Sequence, residues 1–366
     1  MLRYALFALA WGAVGGYLLY AAATARRLRA GKVVQRLEVE AADSSAQGHL
    51  VSAARVRSWI AEQGIATVGT AVDAVDLDAI ERTVLRSGFV ERAVAYVTYD
   101  GVLRVEIGRR DPLLRLALDG YDAYATEGGY VFPVPRASAL YVPVVTGSYR
   151  PPFPAAYAGE VRAHIEARKA EIERRIAELE AEKYPFYRRE RANDRNLAEV
   201  RRMRIKRRWW RGEGSEEFDR RVEELRALKA ALRRRYRYEA RLVEEGIEAV
   251  AQRQEAQRRE QKKLDKSYED FLKLLTFVKF VEEDDFWRSE VVQIIAQTTS
   301  SGALEVDLVP RSGSCTIRFG RLEDTERKFA KLMRFYRSGL TRVGWDAYRT
   351  IDIRFGDQVI CSKQER

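Results

Sequence analysis

Residues 201–211, Arg-Arg-Met-Arg-Ile-Lys-Arg-Arg-Trp-Trp-Arg, place seven basic side chains and two indoles together with no acidic residue among them. Cations interleaved with tryptophan suit two chemistries. They hold phosphates while bases stack, or they sit among anionic lipid headgroups with the indole at the interface. A solvated basic face with the tryptophans packed on a neighbouring helix is the plainer alternative. Arg201, Arg204, Arg207, Arg208, Trp209 and Trp210 therefore stand as a membrane or partner contact. Catalytic chemistry finds less material. Cys315 and Cys361 are the two cysteines, and His49 and His164 the two histidines, which nearly excludes zinc clusters and Cys/His or Ser/His nucleophile arrangements. Carboxylates are plentiful, but none stands in a Gly-marked or strand-end context that suggests acid/base work. No Gly-rich phosphate loop occurs, since Gly15-Gly16 lies in an apolar run. The expectation is no enzyme, no metal, no cofactor and no small-molecule substrate.

The elements that would position any site begin with that apolar run. Residues 4–25 carry no charge and are bounded by Arg3 and Arg26. As a helix they would extend about 33 Å, enough for a bilayer core of about 30 Å. The reading is one transmembrane helix at 4–25 behind a short cytoplasmic end at 1–3. A cleaved signal peptide is its rival, because Ala23-Thr24-Ala25 has the form of a cleavage site. Arg26, Arg27, Arg29 and Lys32 follow the run, and the positive-inside rule taken alone would put the bulk of the chain in the cytoplasm. With 46% hydrophobic and 33% charged residues among 366, the remainder is too polar for further spans. The net charge of +11 is spread over 65 basic and 54 acidic residues, as in mixed-charge helices.

After this run, 33–40 reads as a short alternating strand. Ser52 caps a helix over 53–63 with Val56, Trp59 and Ile60 on one face, and a second helix runs over 76–86 with Leu77, Ile80, Val84 and Leu85. Strands at 89–99 and 102–108 meet at Asp100-Gly101, a hairpin turn signal. The order strand, helix, helix, strand, strand resembles that of POTRA modules, small domains that recruit partner polypeptides in bacterial envelopes.

From Asp111 the pattern becomes β-rich. Arg110-Asp111-Pro112-Leu113-Leu114-Arg115, Gly129-Tyr130-Val131-Phe132-Pro133 and Val142-Pro143-Val144-Val145-Thr146-Gly147 resemble the segment that follows the POTRA in the FtsQ/DivIB family. Leu304 to Gly313, Ile317-Arg318-Phe319-Gly320, a helix carrying Lys328-Phe329-Ala330-Lys331-Leu332, and Ile351 to Cys361 resemble that family's closing β-domain. The resemblance covers roughly 1–150 and 267–366. A Cys315–Cys361 disulfide outside the cytoplasm and two unpaired cysteines both remain open readings.

Residues 160–270 depart from the family, holding 32 Lys/Arg against 25 Asp/Glu. They read as two helices of about 55 residues, an antiparallel, coiled-coil-like hairpin about 80 Å long. The first runs from Ala156 to Arg211 with Pro185 as a kink. The second starts at Ser215, and Phe218, Val222, Leu225, Leu232, Tyr236, Val243 and Val250 fit a 4-3 alternation in which Lys229, Glu239 and Gly246 are misfits.

The expected fold class is α+β: a transmembrane helix at 4–25, a POTRA domain at 33–110, and a β-domain at 111–155 and 267–366, interrupted by the hairpin at 156–266. The resemblance implies a cell-division scaffold at the inner membrane, with its bulk outside the cytoplasm and partners of the FtsB and FtsL type. It further implies a partner-binding terminal strand. Thr350 to Cys361 reads as one strand, and Arg354, Phe355, Gly356, Gln358, Val359 and Ile360 match the family's binding stretch. A buried core strand is the alternative for Ile351 and Ile353. An envelope transport or assembly protein, and a cytoplasmic basic coiled-coil protein that binds nucleic acid, are the other functional classes.

Overall fold

The computed structural model describes residues 11–21, 24, 32–42, 51–134, 140–340, 344, 347–356 and 358–363. Residues 11–21 and 24 are helical, and Trp11, Tyr17, Leu18, Leu19 and Tyr20 are exposed. The rest of the expected span at 4–25 lies outside the described residues, and among these no helix is long and apolar enough to cross a membrane. The chain divides into two compact units, 1–161 with 270–366, and 162–269.

The first unit opens with a three-stranded sheet and two helices. Strand β1 (Arg36–Ala41) runs parallel to β3 (Val102–Arg109), and β2 (Val90–Val97) lies antiparallel on its other side. Helices α1 (Ala53–Glu62) and α2 (Leu77–Arg86) are capped by the Ser52 hydroxyl and the Asp76 carboxylate, which accept from the Arg55 and Ala79 N–H groups. Such caps satisfy donors that the first turn leaves open. Val56, Ile60, Ile80 and Val84 come to a common core with Val90, Leu103, Val105 and Ile107, because the helical and strand periods each put their apolar residues on one face.

The larger sheet joins both ends of the remaining chain. Its order is β13-β12-β11-β10-β9-β7-β4-β5-β6-β8. The strands before the hairpin are β4 (Pro112–Leu118), β5 (Tyr121–Thr126), β6 (Tyr130–Pro133), β7 (Val144–Thr146) and β8 (Gly159–Glu160). Those after it are β9 (Val291–Thr298), β10 (Leu304–Pro310), β11 (Thr316–Gly320), β12 (Tyr348–Asp352) and β13 (Ile360–Lys363). The halves close where β7 pairs in parallel with β9, Val145 beside Ile294. At Gly147, φ +108, a Cβ would fall 2.3 Å from the Ala296 carbonyl oxygen, so only glycine admits this approach. Cys315 is buried and Cys361 half-buried, and no disulfide joins them.

The second unit is built from α3 (Val161–Arg202) and α4 (Ser215–Glu283). The pairs Arg168–Glu260, Arg253–Glu182 and Asn193–Tyr236 join the two strands of this hairpin in antiparallel register. The arms differ from the matched pair expected. α3 runs unbroken through Pro185 and stops at Arg202, and the helix assigned to 203–211 is a loop followed by a 3-10 turn, Trp209–Arg211. α4 continues past 266, and Phe271, Leu274, Phe277, Val278 and Val281 in its last turns are core residues of the first unit. All positions of the 4-3 series are buried or half-buried, the misfits included. Lys229 donates to the carbonyls of Met203 (3.0 Å) and Arg201 (3.4 Å), closing the carboxyl end of α3. Gly246 faces the Phe186 ring, where a Cβ would meet ring carbon at 2.3 Å. These two misfits are the residues that the opposing arm demands.

Candidate functional site

Two surfaces hold the residues singled out in the sequence, one on each unit. The first is the end of the large sheet. The single strand read over 350–361 is two: β12 ends at Asp352, the chain turns, and β13 returns antiparallel as the outermost strand. The cause is a lysine that the sequence reading passed over as part of a motif. Lys331, 7% exposed on α6 (Thr325–Phe335), donates to the carbonyls of Ile353 (2.8 Å), Gly356 (3.3 Å), Gln358 (3.4 Å) and Phe355. A buried ammonium needs acceptors, and gathering four carbonyls on one point bends the backbone out of an extended line. No periodicity reveals this, because Lys331 sits one residue off the face of Phe329 and Leu332. Lys328, a turn earlier, donates to the Phe319 carbonyl (3.3 Å) and lies over that ring. Burial lowers its ammonium's pKa.

Asp352 and Arg354 complete the turn. The Asp352 carboxylate accepts from the Arg354 N–H (3.0 Å) and from its guanidinium at 3.0 and 2.6 Å. Burial by itself would raise the Asp352 carboxyl, but these bonds and the charges of Arg354 and Arg318 outweigh it and hold the group below its ordinary range. Gly320, φ +74, leaves room for the Arg354 stem, since a Cβ there would meet Cγ at 2.6 Å. Ile351 and Ile353 are fully buried, whereas Phe355 is 48% and Ile360 49% exposed. Gly356 and Gln358 are exposed and Val359 is half-buried. Arg354, Phe355, Gly356, Gln358 and Val359 thus lie in the turn, and Ile360 opens β13.

The second surface is the tip of the hairpin. Arg201, Arg204, Arg207 and Arg208 are exposed and Trp210 is 64% exposed; the side chain of Trp209 lies outside the described residues. Glu213, another residue missed, organises the turn. Its buried carboxylate accepts from the Arg208 N–H and from the Arg221 guanidinium. The Arg208 N–H, working against desolvation, and Arg221 together hold this carboxyl below its ordinary range. Gly212, at φ +69, lets the chain turn between the 3-10 segment and α4. Among the described residues no group of three His, Cys, Asp or Glu side chains could hold a metal.

Two family comparisons match the chain. The POTRA-like domain family matches residues 32–108, and the family described as FtsQ/DivIB, C-terminal related, matches residues 253–362. No curated protein matches it. The first match covers the three-stranded module, and the second ends on β13. A POTRA-like domain followed by an FtsQ/DivIB C-terminal-related region supports the resemblance to the FtsQ/DivIB family that the sequence carries.

Proposed function

We propose that this chain is a membrane-anchored, non-enzymatic cell-division scaffold at the division site. Its amino terminus is cytoplasmic, its bulk lies outside the cytoplasm, and it links early and late divisome assembly to septal peptidoglycan synthesis. Its partners are membrane proteins of the FtsB and FtsL type, bound at the end of the large sheet. The position of β13 as the outermost strand, within the FtsQ/DivIB-related region, carries this reading. An outermost strand offers one row of N–H and C=O groups to an incoming strand, whose main chain supplies affinity and whose alternate side chains supply specificity. Phe355, exposed in the turn that Lys331 gathers ahead of β13, supports the anchor role, while Ile351 and Ile353 are buried.

Phe355→Ala tests it. Affinity for an FtsB-type partner should fall by about 2 kcal/mol or more, as at interface hot spots, with the melting temperature of the chain nearly unchanged. A variant that is destabilised yet binds normally, once corrected for its folded fraction, would return the residue to the core. Protease added to spheroplasts should digest residues 32–366. Protection until the membrane is lysed would end the scaffold reading. The POTRA-like match also favours a second class, envelope transport or assembly, in which substrate polypeptides meet the smaller sheet. In that case substitutions in β2 would abolish function and Phe355→Ala would not.

A further inference from the structure

The arms of the hairpin neutralise themselves. Along them, cations sit one turn from carboxylates, as in Arg162–Glu166, Arg235–Glu239 and Arg259–Glu255. The tip does not follow this pattern. Seven basic residues fall within 201–211, and the nearest carboxylate in the turn, Glu213, is buried and already engaged by Arg221 and the Arg208 N–H. Glu213 therefore adds no exposed negative charge. Because α3 stops at Arg202, with Lys229 closing its carbonyl end, residues 203–208 display their cations on irregular backbone. The exposed Trp210 stands in the 3-10 turn two residues after Arg208 and next to Arg211 in sequence.

We infer that the hairpin tip is a docking point for an anionic phospholipid surface. Cations in such a cluster gain from the negative potential of the headgroup layer, and an indole prefers the interface between headgroup and acyl chain. The short reach of the patch selects a lipid surface over a nucleic acid or an acidic protein. Mobile headgroups gather around a fixed cluster of cations, whereas a polyanion of fixed spacing is best held by a basic track along the arms. There, the charges are paired. This reading is independent of β13 and its partner.

The test uses the full chain with Lys206→Cys carrying an environment-sensitive fluorophore and Cys361 replaced by serine, Cys315 being buried. It is mixed with phosphatidylcholine nanodiscs containing either no phosphatidylglycerol or about 30% of it. Anionic discs should shift the probe's emission to the blue, neutral discs should not, and about 0.5 M salt should reverse the shift. Reversing Arg201, Arg204 and Arg211 to glutamate spares the Glu213 network and should weaken the response about tenfold or more; Trp210→Ala should weaken it less. A label on Asp119→Cys, in the turn between β4 and β5, should stay silent. An equal shift in both disc types, a shift at both labels, indifference to salt, or a response to duplex DNA with none to anionic discs would each overturn the inference.

Discussion

The hairpin and the sheet unit hold distant segments of chain in register by different means. In the sheet unit the segment before the insertion meets the one after it where Phe153 packs on Phe271 at 5.5 Å, and the later segment closes on an aromatic core in which Phe277 lies 4.9 Å from Phe319 and 5.7 Å from Phe329 and Trp287 packs on Phe329 and Tyr336. In the hairpin, buried polar groups bridge the arms. Gln254, 4% exposed, donates to the Ile176 carbonyl (3.3 Å) and to Glu180 (2.9 Å) and accepts from Lys183 (2.5 Å), while Asn193 donates to the Tyr236 carbonyl at 2.7 Å. Apolar packing is non-directional and rewards burial; a buried amide rewards one alignment and penalises its neighbours. The sheet unit should therefore lose stability as a whole when its core is cut, and the hairpin locally.

The largest effect should come from Phe277→Ala. Removing this ring should cost the sheet unit about 3–5 kcal/mol, read by denaturant unfolding, while hydrogen exchange within 170–255 stays protected. Equal loss of protection in both units would erase the contrast. Gln254→Ala removes the buried amide's bonds to the Ile176 carbonyl, Glu180 and Lys183, Lys183 keeping Glu180, and should cost about 1–3 kcal/mol, with faster exchange confined to the arms and no change in the sheet unit. A smaller effect concerns pH. The Asp352 carboxyl titrates below its ordinary value of 3.8 when folded. Its contribution is thus present above the unfolded value and is lost as the pH falls through the folded one. Comparing urea unfolding near pH 7 and near pH 3, Asp352→Asn should show a shallower loss of stability than the parent, and identical losses would remove the Arg354 pairing from the account. The smallest effect belongs to shortening the arms. Replacing residues 173–256 by a Gly/Ser linker should leave the sheet unit's unfolding within about 0.5 kcal/mol. A cut at Pro154 would not be neutral, since it removes β8 and Val161, and Phe153 packs on Phe271 at 5.5 Å.

Much of the fold was legible because it is written in local periods. The order of elements over 33–108 follows from a period-two run, two capped helical stripes and the Asp100-Gly101 turn, where Gly101 takes φ +82. In the 4-3 series of α4 even the misfits Lys229 and Gly246, which break the apolar rule, are half-buried against the other arm. The candidate residues at both surfaces were named from local composition and from family likeness, which mark a stretch without saying which side chains point outward. Glu213 and Lys331 escaped because a lone charged residue in a charged stretch carries no signal until its burial is known.

By itself the sequence determined the order of strands and helices over 33–108, the two caps and the Asp100-Gly101 turn there, and where positive charge outruns negative. Tertiary structure decided the rest. Ile351, Ile353 and Phe355 share one alternation, yet the Lys331 ammonium turns the chain after Ile353, so the first two are core and the third is exposed. α4 passes from hairpin to sheet unit at Asp270 with no punctuation, because a helix is stabilised by hydrogen bonds four residues apart and continues wherever each new environment accepts one of its faces. Local interactions choose the period of the backbone; only long-range contacts choose what each face meets.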